Sequence, residues 1–243
     1  MSAKRSILII NPNSTQGMTD ALKPLVDELN YNETQFSFFT APSGPKSIDN
    51  EEDAAESAEH CLPSLKPLLE RHHGFLVACF SQHPLVPLLK DQDAIKRERK
   101  SVTGIFEASI GSSLLAMGRE QRFGIVTAGK AWEELLTKAM STWLGSGLER
   151  FAGVESTGLK AVELHDAPAE DVKTRMLQAT TRLVKRGNVG AICLGCAGMA
   201  GMNETVREAC IDELGEQKGR AVVIVDGVQA GVGFLESALR AGL

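Results

Sequence analysis

Two cysteines each follow a run of apolar residues and precede small or polar residues. Cys79 lies in VACFSQHPL (residues 77–85), and Cys196 lies in LGCAGM (residues 194–199). A thiolate can remove a proton from carbon, and a second thiol can return a proton to the opposite face, which inverts that carbon. The thiolate is favoured by backbone amides at the start of a helix, where we expect both cysteines to lie. The two segments therefore predict a pair of acid/base thiols.

Both cysteines also fit a structural role, because cysteine is often buried and packs as a small hydrophobic side chain. Cys193 and Cys196 form a C-x-x-C motif, which is typical of redox pairs. Cys193 lies inside the apolar run VGAICL, however, so we expect it to pack within a sheet. Cys61 and Cys210 are expected to face the core from helices. No second closely spaced pair completes a zinc site, so no metal is expected.

His83 follows Cys79 by four residues and has two interpretations. A cysteine and a histidine can form the nucleophile and base of a hydrolase. A histidine at the start of a helix can instead cap it or make a pocket polar. The second interpretation is favoured, because Ala200 occupies the matching place in the internal repeat described below.

Composition excludes several classes of protein. The chain has 243 residues, of which 43% are hydrophobic and 23% charged, as is ordinary for a globular protein. A net charge of −5 leaves no basic stripe for nucleic acid. The N-terminal residues lead into an apolar strand rather than a signal peptide, and no run is long enough to cross a membrane. An odd number of cysteines then indicates reduced thiols. We expect a cytoplasmic protein without nucleic-acid or membrane partners.

Short apolar runs rich in Ile and Val alternate with longer amphipathic stretches. The apolar runs predict strands at residues 7–10, 36–40, 74–80, 122–127, 189–194 and 221–225. The amphipathic stretches predict helices at residues 15–29, 50–71, 84–97, 132–144, 169–186 and 203–214. This alternation is typical of βα units and a parallel sheet.

The chain repeats itself at a long period. Three segments of the first half resemble three segments of the second half in the same order. The matched pairs lie 116 to 119 residues apart and are Asn11 with Thr127, Cys79 with Cys196, and Glu107 with Asp226. Near-constant spacing predicts two similar units.

These patterns predict an α/β fold of two pseudo-symmetric lobes, each a mostly parallel sheet flanked by helices. The first lobe is expected to comprise residues 1–104 plus 227–243, and the second residues 105–226. Ligands bind beyond the carboxyl ends of parallel strands. We therefore expect the active site in the cleft between the lobes, with Cys79 and Cys196 facing each other. Asn11 and Ser14, in the turn NPNST, either start a helix or bind a polar ligand there.

Four segments together resemble the aspartate/glutamate/hydantoin racemase superfamily. They are ILIINPNST (residues 7–15), PSGPKSI (42–48), VACFS (77–81) and LGCAGM (194–199). The resemblance is strongest to the hydantoin and allantoin racemase branch, which includes fungal proteins associated with allantoin breakdown. It implies two α/β lobes, a site in the cleft between them, and a last helix that packs on the first lobe.

The resemblance also implies roles for individual residues. Cys79 and Cys196 would be the two catalytic thiols, and the reaction would need no metal, pyridoxal phosphate or nucleotide. The substrate-binding candidates share positions at or beside the expected pocket and are Asn11, Ser14, Ile48, Phe80, Ser81, Thr127, Ala197 and Gly198.

The expected activity is racemisation of 5-substituted hydantoins, with allantoin the favoured single substrate and purine catabolism the implied setting. Amino-acid racemases of the superfamily commonly have Asn-Thr after each cysteine, whereas this chain has Phe80-Ser81 and Ala197-Gly198. The alternatives are a maleate-type cis-trans isomerase, an amino-acid racemase of the same superfamily, and a non-catalytic regulator that binds a metabolite. A small-molecule substrate and a homo-oligomer are expected in each enzymatic case.

Overall fold

Two four-stranded parallel sheets form the framework. The computed structural model describes residues 5–243, and of residue 165 only the backbone. The strands are β1 (Arg5–Asn11), β2 (Thr34–Thr40), β3 (Gly74–Val77), β4 (Ser101–Gly104), β5 (Arg122–Thr127), β6 (Phe151–Ser156), β7 (Val189–Gly195) and β8 (Val223–Asp226). The strand orders are β2-β1-β3-β4 and β6-β5-β7-β8, and every pair is parallel. The predicted α/β class and its parallel sheets are confirmed.

Helices follow the strands along the chain. They are α1 (Gln16–Asp27), α2 (Glu51–Leu65), α3 (Leu85–Lys90), α4 (Asp93–Glu98), α5 (Ile105–Ala116), α6 (Ala131–Leu144), α7 (Glu163–Asp166), α8 (Ala169–Val184), α9 (Asn203–Leu214), α10 (Glu216–Ala221) and α11 (Gly227–Ala241). Short 3-10 helices occupy Lys66–Leu68, Gly145–Arg150 and Ala197–Met199. Within residues 5–243, no helix has the length and apolar character needed to cross a bilayer.

The described residues fall into two compact units. The first contains the described residues through Ala108 together with Val228–Leu243, and the second contains Ser109–Gly227. The division therefore lies four residues later than the expected boundary after residue 104, and one residue later than the expected boundary after residue 226. The first turn of α5 accounts for the larger difference, because the Phe106 ring packs edge-on against Phe80 of the first unit, with centroids 5.5 Å apart.

Each unit has its own apolar core, built where the strands present continuous apolar residues. In β1, Ile7, Ile9 and Ile10 are completely buried. Strands covered on both faces read as unbroken apolar runs, which is why this sequence forms a parallel sheet rather than an alternating antiparallel one. In the first unit, α11 covers β3, because Gly231 brings that helix directly against Leu76. The last helix thus packs on the first unit, as the resemblance implied.

Several element boundaries differ from the sequence prediction. Strand β3 ends at Val77 rather than residue 80, so Cys79 lies in the loop that follows it. The helix expected at residues 84–97 is two short helices, α3 and α4. Strands β4 and β6 were not predicted. Both contain Gly and Ser, and β6 is an edge strand with alternating rather than continuous burial.

Gly195, the last residue of β7, leaves no room for a side chain. A Cβ at this position would lie 2.6 Å from Ile125 Cγ2 and 2.8 Å from the carbonyl oxygen of Val126. The backbone immediately before Cys196 therefore packs directly against β5.

Gly195→Ala should lower the free energy of unfolding by about 1–3 kcal/mol, because the added methyl group must displace buried neighbours. Urea unfolding followed by circular dichroism measures this change. Gly17→Ala is the control, since Gly17 is an exposed residue of α1 and a Cβ there would meet no other atom within 4 Å. Equal stability of the two variants would contradict the close packing at Gly195.

Candidate active site

Cys79 lies two residues beyond β3, in a loop closed by short backbone turns. Its thiol is half-buried, and Sγ lies 3.5 Å from Ser81 Oγ. The Ser81 amide donates to the Cys79 carbonyl oxygen at 3.1 Å. Phe80, between them, is buried and packs against Phe106. The structure therefore brings together Cys79, Phe80 and Ser81, three of the candidates.

The expected helix start at Cys79 is wrong. Helix α3 begins only at Leu85. The intervening residues instead form turns, in which the His83 amide donates to the Ser81 carbonyl oxygen at 2.7 Å. The polar loop before Pro84 is too tightly turned to extend the helix back to Cys79.

Asn11 is the last residue of β1 and lies at the same edge of the sheet as the end of β3. Its side-chain amide forms hydrogen bonds within the segment that follows β1. Its Oδ1 accepts from the Asn13 amide at 3.2 Å, and its Nδ2 donates to Thr19 Oγ1 at 3.0 Å. Only 2% of Asn11 is exposed. Ser14 is likewise engaged, since its hydroxyl donates to the Gly44 carbonyl oxygen at 3.0 Å. These two candidates shape the loop through bonds within the first unit.

Helix α2 lies beside both loops. Ile48, which precedes it, is buried, and Asn50 caps it by accepting from the Asp53 amide at 2.7 Å. Cys61, on the buried face of α2, places its Sγ 3.5 Å from the carbonyl oxygen of Pro12. The segment with Ile48 therefore leads into a helix that contacts the loop after β1.

Cys196 occupies the equivalent position in the second unit, directly after β7. Its thiol is half-buried, and the residue precedes the 3-10 helix Ala197–Met199. The Met199 amide donates to the Cys196 carbonyl oxygen at 3.0 Å. Thr127 ends the neighbouring strand β5, and its hydroxyl donates to the Gly195 carbonyl oxygen at 2.8 Å. The expected helix start is therefore found at Cys196, although the helix is a single 3-10 turn.

The loop after Cys196 is held by a side chain from β8. Ala197 is half-buried and Gly198 is buried. Asp226, which is 3% exposed, accepts a hydrogen bond from the Gly201 amide through Oδ2 at 2.8 Å. The repeat in the sequence had matched Asp226 with Glu107, but it gave no sign of this contact.

The other three cysteines are buried thiols. Burial raises the pKa of Cys61 and of Cys193 to about 12, and that of Cys210 to about 11. Cys193 packs inside β7, as predicted, with Sγ 3.1 Å from Ser113 Oγ. A thiol that stays protonated is a poor nucleophile, so the C-x-x-C motif does not supply two reactive sulfur atoms.

Both ring nitrogens of His83 form hydrogen bonds with residues other than Cys79. Its Nδ1 accepts from the Leu85 amide at 3.2 Å, and its Nε2 lies 2.9 Å from Ser57 Oγ. The His83 side chain therefore accepts from the amide of Leu85, the first residue of α3, as the helix-capping interpretation expects. Burial lowers the pKa of His83 to about 4, which keeps the imidazole neutral.

Metal ligands do not cluster in the part of the chain that the structure describes. No group of three or more His, Cys, Asp or Glu side chains is arranged there to hold an ion.

Known proteins resemble this chain over nearly its whole length. The family model described as Asp/Glu/Hydantoin racemase matches residues 7–235. An uncharacterized protein of Schizosaccharomyces pombe is 35% identical, over 98% of this chain and 93% of that protein. A hydantoin racemase of a Pseudomonas species is 28% identical, over 97% of this chain and 86% of its own. A solved structure of allantoin racemase from Klebsiella pneumoniae has a TM-score of 0.78 at 27% identity, covering 98% of this chain and 89% of that one.

Iodoacetamide should alkylate Cys79 and Cys196 before the other three cysteines. The reason is that their thiols are half-buried, whereas the pKa values of the buried thiols are strongly raised. Mass spectrometry of peptides after timed labelling measures each rate. Urea-unfolded protein is the control, in which all five sites should react alike. Labelling of Cys193 as fast as Cys196 in the folded protein would contradict the assignment.

Acidification should destabilise the fold through His83. Its pKa is lowered to about 4 by burial, whereas a histidine of the unfolded chain titrates near ~6.5. As the pH falls, the unfolded chain binds the proton first, so stability is complete above pH ~6.5 and declines between ~6.5 and ~4. The full loss corresponds to about 3 kcal/mol.

Urea unfolding at about pH 7 and about pH 4.5 measures this contribution. His83→Asn has no titratable group at this position and should lose less stability than the wild type between the two pH values. Equal losses in both proteins would show that His83 takes up no extra proton on unfolding.

Proposed function

Because the chain belongs to the Asp/Glu/hydantoin racemase family, we propose that it racemises 5-substituted hydantoins, with allantoin the favoured substrate. One observation carries this proposal. Cys79 and Cys196 follow the equivalent strands β3 and β7 of two sheets with the same strand order, and both thiols are half-buried. Racemisation by a two-base mechanism uses one base and one acid on opposite faces of the carbon, and two thiols can supply both.

The proposed reaction moves one proton off C5 and one proton onto it. One thiolate removes the C5 proton and becomes a thiol, and the electron pair left on C5 delocalises onto the C4 carbonyl oxygen. The other thiol then donates its proton to the opposite face of C5 and becomes a thiolate. Atoms and charge balance without an oxidant or a cofactor. The reverse direction exchanges the roles of Cys79 and Cys196.

The acidity of the substrate supports a hydantoin over an amino acid. The C5 carbon of a hydantoin lies between a carbonyl group and a ring nitrogen. Because that carbonyl group is neutral, loss of the C5 proton gives an enolate with a single negative charge. An amino-acid carboxylate must accept a second negative charge, which needs stronger electrostatic stabilisation. Phe80-Ser81 and Ala197-Gly198, which follow the two cysteines, offer less polar surroundings for a carboxylate than Asn-Thr pairs would.

Loss of the C5 proton signal in D₂O, followed by NMR, tests the proposal. Single-enantiomer allantoin and 5-alkylhydantoins should exchange and lose their circular dichroism faster than in buffer alone. Aspartate, glutamate and maleate are the comparison substrates. Cys79→Ser and Cys196→Ser should each reduce racemisation by about 10²-fold or more, because each removes one proton-transfer group. Each variant should retain exchange of one enantiomer without inversion.

Cys210→Ala is the matched control, because it removes a buried thiol that the mechanism does not use. It should racemise at the wild-type rate. Full activity of either catalytic variant would refute the two-thiol mechanism. Turnover of an amino acid or maleate, but of no hydantoin, would refute the substrate. The cytoplasmic location, the role in purine catabolism and the homo-oligomer stay predictions.

A further inference from the structure

A chain of buried hydrogen bonds connects the Cys79 loop to α2. Ser57 of α2 donates its hydroxyl proton to the Ala54 carbonyl oxygen at 3.0 Å. Ser57 Oγ also lies 2.9 Å from Nε2 of His83. The second nitrogen, Nδ1, accepts from the Leu85 amide at 3.2 Å. Ser57 is completely buried and His83 is 1% exposed, so water does not substitute for these bonds.

The donors and acceptors fix the protonation of this chain. The Ser57 proton is used by Ala54, so Ser57 Oγ accepts from His83, and Nε2 carries the imidazole proton. Nδ1 is then the acceptor that the Leu85 amide requires. Every polar atom of the imidazole is satisfied in the neutral form. His83 therefore acts through geometry and not as a proton carrier.

The backbone of Cys79 depends on the position of His83. Between β3 and α3 the chain is irregular, and the bonds that order it run through residues 79–86. The Ser81 amide donates to the Cys79 carbonyl oxygen, and the His83 amide donates to the Ser81 carbonyl oxygen. The Val86 amide in turn donates to the His83 carbonyl oxygen at 3.0 Å. Irregular loops open locally at a lower free energy than core helices and strands, so these bonds decide how well the loop is held.

One end of the loop is fixed by β3 and the other by His83. Helix α2, which carries Ser57, also reaches the loop after β1. Cys61 lies one turn after Ser57 on this helix and contacts the Pro12 carbonyl oxygen. We propose that Ser57 and His83 are a positioning pair that sets the Cys79 thiol, with α2 as the common support of both loops. This inference rests on the proposed function only for its catalytic readout.

The position of the second unit that matches His83 cannot form such a pair. Ala200 stands where the sequence repeat places His83, and it has no polar side chain. The Cys196 loop is instead held through the Gly201 amide, which donates to Asp226. Loss of the Ser57–His83 bond should therefore change the behaviour of Cys79 and leave that of Cys196 unchanged.

Ser57→Ala removes the acceptor and leaves the Nε2 proton of His83 buried without a partner, which destabilises the closed loop. The loop should open more often, so iodoacetamide should label Cys79 about threefold faster relative to Cys196. This ratio needs no substrate and is measured by mass spectrometry. Ser113→Ala is the matched control, because Ser113 is another buried helical serine, bonded to Cys193 in the second unit. It should leave the ratio unchanged.

Proton exchange in single-thiol backgrounds gives the catalytic readout. In Cys196→Ser protein, Ser57→Ala should slow the remaining C5 exchange about tenfold, because Cys79 is displaced from its productive geometry. In Cys79→Ser protein, the same substitution should not change exchange by Cys196. A general loss of folding would slow both, so the difference separates positioning from stability.

A double-mutant cycle tests the pairing itself. His83→Asn removes the donor to Ser57, so adding Ser57→Ala to it should have little further effect on the labelling ratio. An unchanged ratio in Ser57→Ala, the same change in Ser113→Ala, or additive effects in the cycle would each overturn the proposed pair. A changed ratio without turnover of any hydantoin would support the pair and refute the proposed function.

Discussion

The parallel pairing of β1 with β3, and of β5 with β7, decides where the two cysteine loops lie. Ile10 is aligned with Val77 in the first sheet, and Thr127 with Gly195 in the second. Parallel strands end at the same edge, so the loops that follow each pair must begin side by side. The close packing of Gly195 against β5 follows from this alignment.

The sequence predicts the strands that are buried on both faces, because continuous apolar runs leave few alternatives. It fails for β4 and β6, in which polar residues and glycine weaken the pattern. Pairing with a neighbouring strand, rather than intrinsic propensity, makes these segments extended. The same reasoning explains the end of β3. Apolar residues continue past Val77, but the pairing of β3 with β4 ends there, at Gly104.

Side-chain roles were harder to predict than positions. The sequence placed Asn11 and Ser14 at a strand end, where such residues either bind a ligand or build a turn. Their partners, Thr19 and Gly44, lie elsewhere in the chain and could not be inferred from spacing. For His83, the helix-capping role was favoured because Ala200 occupies the matching place in the repeat. Its partner Ser57, 26 residues earlier, carries no distinguishing signal in the sequence. Sequence patterns do not reveal hydrogen-bond partners that are distant in the chain and meet only after folding.

The unlike supports of the two cysteine loops, His83 in one unit and Asp226 in the other, have a thermodynamic consequence. Enantiomers have equal free energies in water, so any catalyst that interconverts them must have equal kcat/KM in both directions. Loosening one loop cannot break this equality, however unequal the two supports are. Unequal supports can therefore make kcat and KM differ between the two enantiomers only by the same factor. The maximum rate with one enantiomer can then differ from the maximum rate with the other. A fold with an internal repeat can therefore have different kcat and KM values for the two enantiomers, while the equilibrium constant between them stays at one.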